Sequence, residues 1–175
     1  MQIELTDATL TRYVEEKVRA GDFPTASSVV EHALTWMMRI DALCEAAFKG
    51  NLSEVKRLLE DDVPANAANH WGRTPLSLAE DVDVIRELLT AGARPDAAGE
   101  NLLHGWVDAA CDAMHQYRRI EPLPEHMEIL RLLIAHGADP LAADEAHATA
   151  LDVAQRYHCA PVIRFLEAAA RKAAE

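Results

Sequence analysis

Three stretches of this chain share one rhythm: "VKRLLEDDVPANA" from Val55, "IRELLTAGARPDA" from Ile85 and "LRLLIAHGADPLA" from Leu130. Each ends an apolar helical pattern in a run of large aliphatic side chains, makes a turn and reaches a proline soon after. Ahead of each lies a shorter stretch rich in alanine. The spacing is close to a repeat of about 33 residues, each unit a turn and two helices. A unit of that size cannot bury its own apolar faces, so units must stack. The pairs Leu58–Leu59, Leu88–Leu89 and Leu132–Leu133 are placed to fill the layer between units. Ala46, Ala47, Ala79 and Ala154 let helices approach closely, and Gly92 and Gly137 supply left-handed stops. About four units follow, beginning at Leu43, Gly72, Gly99 and His147. The third is split by "VDAACDAMHQYRRIEPLPEH" before it resumes at Met127.

Thr74-Pro75-Leu76, Leu103-His104, "LLTAGARPDA" and "LLIAHGADPLA" make residues 41–175 resemble an ankyrin-repeat domain. The resemblance implies a curved solenoid, no catalysis, and a protein partner held on a concave face of turn fingers and first helices. Trp71 and Arg73, at a turn finger, are partner-binding candidates. Arg118 and Arg119 are two more, because insertions in solenoids map to one face and often bind. Three departures mark this copy: a shortened second unit at Glu80–Asp83, the interrupted third unit, and a last unit without a full outer turn. The spacing of Trp106, Val107, Ala110, Cys111 and Met114 predicts an extended first helix in the third unit, with Pro122 and Pro124 breaking the path to Met127. Trp36 and Trp106 are expected in cores.

The first forty residues follow a different pattern. "QIELT" alternates, with Ile3 and Leu5 on one face and Gln2, Glu4 and Thr6 on the other, as in a short strand. Asp7 or Thr9 can cap a helix whose apolar face is Leu10, Tyr13, Val14 and Val18. Gly21 stops it, and Thr25 can cap a second helix with Val29, Val30, Ala33, Leu34, Met37 and Ile40 along one stripe. Strand, helix, helix is too small for a sufficient core. The strand has no mate in this segment, so a homodimer pairing two strands across a two-fold axis is the simplest solution. Its core is expected from Ile3, Leu5, Tyr13, Val14, Val29, Val30 and Leu34.

"ELTDATLTRYVEEKVRAGDFPTASSVVEHAL" resembles the ribbon-helix-helix antitoxins of the ParD type, through Gly21, Phe23, Thr25, Ala26, Ser27, Val29, Val30, Ala33 and Leu34. The resemblance implies an intertwined dimer, a ribbon in the DNA major groove and repression of its own operon. Gln2, Glu4 and Thr6 would then face base edges. Thr25, Ala26, Ser27 and Ser28 would offer N–H groups to a phosphate. Glu4 departs from the neutral or basic residue expected at mid-ribbon. A carboxylate can accept from cytosine N4 but repels phosphates.

Charge divides the chain in the same place. Residues 1–40 hold four basic and six acidic residues, the remainder 13 and 23, for a total of −12. The second part therefore favours basic partners over nucleic acid. Three cysteines, Cys44, Cys111 and Cys159, are too few and too scattered for a disulfide framework and read as buried thiols. Cys111 and His115 lie one helical turn apart, but no second pair matches them, so no metal is expected. No phosphate loop, nucleophile arrangement or cofactor motif is found, and the chain is not read as an enzyme. No secretory leader or membrane span is seen, which points to a cytoplasmic protein.

The fold expectation is mainly α: a ribbon-helix-helix module in residues 1–40 and an ankyrin solenoid in 41–175. The function expectation is an antitoxin-like homodimer that captures a protein partner, a basic toxin by charge, and binds operator DNA. The alternative is a dimeric ankyrin scaffold without a DNA role. From Ala26 to Lys49 there is neither Gly nor Pro. The join is therefore expected to be helical, continuous or broken only briefly at Asp41.

Overall fold

The computed structural model describes residues 7–97, 101–144 and 147–173. Gln2, Ile3, Glu4, Leu5 and Thr6 lie outside the described residues. The chain is mainly α-helical, with helices α1 (Ala8–Arg19), α2 (Ala26–Phe48), α3 (Leu52–Glu60), α4 (Pro75–Leu78), α5 (Val82–Thr90), α6 (Leu102–Gln116), α7 (Pro124–Ala135), α8 (Ala150–Arg156) and α9 (Ala160–Ala173). Extended pairing among the described residues is limited to one antiparallel bridge, Ala143 with Thr149. No described helix is long and apolar enough to cross a membrane.

Local chemistry sets the helix ends. Asp7 caps α1 by accepting from the N–H groups of Thr9 and Leu10, which also holds its carboxyl below the usual carboxylate range. Thr25 caps α2 in a capping box with Ser28, and Thr149 caps α8 in another with Asp152. Each box satisfies two otherwise orphaned donors. Thr74 caps α4, with Pro75 at a first-turn position where a missing N–H costs nothing. The same holds for Pro124, which begins α7 rather than merely interrupting the path to Met127.

From the second half of α2 onward the helices form pairs: α2 with α3, α4 with α5, α6 with α7, α8 with α9. Neighbouring pairs meet through α2–α4 and α6–α8 on one side and α3–α5–α7 on the other. The core between the two layers is continuous. Leu43, Val55, Leu88, Leu103, Val107, Leu130, Leu133, Val162 and Leu166 are almost wholly enclosed. Covering one such side chain contributes about 1.5–3 kcal/mol. Ala46, Ala47, Ala79 and Ala154 are buried at the close approaches. Gly92 and Gly137 adopt positive φ after α5 and α7.

α2 runs 23 residues without a break and crosses position 41 in mid-helix. Its front half packs on α1. Its back half is the first member of the stack. Arg39 ties the two together: Nη2 donates to the Asp61 carbonyl at 2.6 Å, and the guanidinium lies 5.3 Å from the Trp36 ring centre. Trp36 is consequently half-buried between His32 and Arg39, outside the core in which it was expected.

Candidate functional site

The first candidate surface is the free side of α1 and the front of α2. Val14 and Val29 are buried where the two helices meet, so one chain already covers these two expected dimer-core residues. Val30 is half-buried. Tyr13 and Leu34 stand about half exposed, together with Leu10 and Met37, and Met38 is 72% exposed. Helical spacing puts Leu10 beside Tyr13 and Leu34 beside Met37 and Met38. The expected stripe therefore exists as a helix face, with Met38 as a member the periodicity did not select.

At the start of α2, Thr25, Ala26 and Ser27 are exposed and Ser28 half-exposed. The Ser28 N–H donates to Thr25 Oγ1 at 3.1 Å, and the Thr25 N–H to Ser28 Oγ at 3.2 Å. Two of the donors read as phosphate ligands are therefore engaged within the chain.

The second surface is a groove along α2, α4 and α6. One cavity of about 570 Å³ is lined by Asp41, Cys44, Glu45, Phe48, His70, Trp71 and Leu78. An adjoining one of about 820 Å³ shares Phe48, Arg73 and Leu78 and continues to Leu102, Trp106 and His126. Turn chemistry positions the tip. Asn69 is buried and its carboxamide oxygen accepts from the N–H groups of Trp71 and Arg73, both at 3.0 Å, around Gly72 at φ +77°. That turn holds Trp71 75% exposed, 3.5 Å ring to ring from His70. Arg73 folds back, Nε toward Ser77 Oγ at 3.3 Å. Phe48, 64% exposed, joins the two cavities. Its last-turn position on α2 gave it no mark in the sequence, because the helical stripe predicts only the face turned inward.

The charged groups lining these two cavities are Asp41, Glu45, Glu80 and Glu125 against the single arginine Arg73. Burial, with Asp41 adjacent, pushes the Cys44 thiol up to about 11, so it is a neutral thiol in the wall. His126 packs edge-on to Trp106 at 5.7 Å, and its Nδ1 is buried with no hydrogen-bond partner among the described residues. Burial lowers its pKa, only partly opposed by Glu125. An apolar floor with a carboxylate rim suits a partner bearing apolar anchors among Lys or Arg.

Arg118 and Arg119 are not part of this groove. They border a separate cavity of about 500 Å³ with Cys111, Met114, His115, Tyr157, His158 and Cys159. The four partner-binding candidates thus divide between two places. His104 is buried with Nε2 3.1 Å from the Ala142 carbonyl. All three cysteines are buried free thiols. No protein-family model matches the chain.

Proposed function

We propose that this protein is a non-catalytic, antitoxin-like dimer acting in the cytoplasm. Residues 1–40 form a ribbon-helix-helix dimerisation module, and residues 41–175 form an ankyrin-type solenoid whose groove captures a basic protein, a cognate toxin in the preferred reading. The observation that carries it is the uncovered apolar face of Leu10, Tyr13, Leu34, Met37 and Met38 on α1 and the front of α2. A second copy is the natural cover. The residues before Asp7 alternate polar and apolar, which suits pairing with their own copy, and the face is formed by the segment with the ParD-type sequence pattern. Two-fold symmetry lets one patch complement itself.

The acidic groove supports the partner's charge. Its apolar anchors Trp71, Phe48 and Trp106 supply the kind of aromatic contacts that dominate binding energy. DNA binding is the part that the alternative reading denies. The net charge of −2 in the first forty residues, and the mutual capping of Thr25 and Ser28, favour a dimeric scaffold with no operator.

Light scattering of the full chain at micromolar concentration tests the dimer. Wild type should give twice the chain mass, and the double variant Leu34→Asp, Met37→Asp the chain mass with helix content retained. A monomeric wild type defeats the proposal. A gel shift with the DNA upstream of its own gene, at low and high salt, separates the two readings. A salt-dependent specific complex supports repression, and none supports the scaffold. Co-expression with the product of a neighbouring small basic reading frame tests the groove: Trp71→Ala should release that product.

A further inference from the structure

The cavity at the C-terminal end of α6 draws together three sulfur atoms from two distant parts of the chain. Cys111 and Met114 lie three residues apart on one face of α6. Cys159 comes from the turn into α9, where its carbonyl accepts the first helical bond, from Ile163 N–H. Its Sγ is 3.2 Å from Met114 Sδ, and Cys111 lines the same cavity. Both thiols are buried, at 2% and 3% exposure, yet both border an open cavity of about 500 Å³.

We propose that Cys111, Cys159 and Met114 form a three-sulfur site for a soft monovalent metal ion, Cu(I) by chemical class. The donor set decides the ion. No group of three His, Cys, Asp or Glu able to hold a metal occurs among the described residues, so the two thiols lack the third ligand that zinc takes from such residues. The third donor at hand is a thioether, and thiolate with thioether selects Cu(I). With metal–sulfur bonds of about 2.3 Å, three sulfurs around one ion stand about 4 Å apart. The observed contact has to open by less than an ångström.

Charge balance fits as well. One Cu(I) displaces two thiol protons, which leave to solvent, and no electron is transferred. The bound centre carries one net negative charge. Arg118 and Arg119 border the same cavity and oppose that charge, while burial and the Asp108 carboxylate, which raise the Cys111 thiol, are the cost that metal binding has to meet.

The test is competition for Cu(I) between the full-length, reduced protein and a chromogenic Cu(I) chelator under anaerobic conditions. Wild type and Cys44→Ser should each retain one equivalent. Cys111→Ser and Cys159→Ser should retain none. Met114→Leu, which preserves volume, should weaken retention at least tenfold, and circular dichroism checks that each variant is folded. Failure of wild type to retain Cu(I), or retention unchanged in both cysteine variants, overturns the site. Retention unchanged in Met114→Leu removes the thioether and with it the three-sulfur assignment. If the pair forms a disulfide with hydrogen peroxide and the reduced protein holds no Cu(I), it is a redox pair and the metal proposal fails.

Discussion

The front and back of α2 belong to one uninterrupted helix and face opposite situations. Behind position 41, Leu43, Cys44, Ala46 and Ala47 are buried against α3 and α4. Ahead of it, Leu34, Met37 and Met38 point into solvent, with α1 covering only the side that carries Val29. Both halves are apolar along one stripe. The difference is the number of neighbours: two helices and a continuing stack in one case, a single twelve-residue helix in the other. A helix therefore does not reveal from its own sequence whether its apolar face is covered or left open. What is missing around it does.

The largest effect should come from the closed side. Leu88→Ala removes a fully enclosed side chain and should cost about 2–5 kcal/mol in urea denaturation. A loss under 1 kcal/mol would mean that the stack is not packed as described. Next, Thr149→Ala should cost about 1 kcal/mol by dismantling the α8 capping box. Thr25→Ala breaks the equivalent box on the open side. It should leave the urea midpoint of the back half nearly unchanged, since the exposed front turn can fray alone. Equal losses at the two threonines would show that α2 transmits stability along its whole length.

Acidification probes the groove. The folded state holds the His126 pKa below its ordinary value, chiefly by burial. The unfolded chain then binds more protons in the window just below pH 6.5. Stability is fully present above that value and is lost as pH falls through the window. His126→Phe should flatten the dependence of the melting temperature between pH 7 and 5. An unchanged slope would place the acid sensitivity elsewhere. The smallest effect is expected at the seam. Arg39→Ala loses a half-exposed ion pair with Asp61 at 3.5 Å and should cost under about 1 kcal/mol. It should nevertheless speed limited proteolysis between Met38 and Ala42. Rapid cleavage there in the wild type would contradict a rigid join.

Sequence by itself determined the helices and their ends. Asp7, Thr25, Thr74 and Thr149 cap where their side-chain chemistry dictates, and Gly21, Gly92 and Gly137 stop where a left-handed residue is needed. The absence of Gly and Pro after Ala26 left α2 either continuous or briefly broken at Asp41, and the structure shows it continuous. These are short-range effects, settled within a turn or two of chain. Tertiary structure alone decided which side chains converge across long separations. Phe48 joined Trp71 and Trp106 in one groove, Trp36 left the core for Arg39, and Arg118 and Arg119 separated from Arg73. Cys111 and Cys159, 48 positions apart in sequence, line one cavity because α6 packs on α8 and α9. Periodicity tells which way a side chain points on its own helix. Only the packing of helices says what it points at.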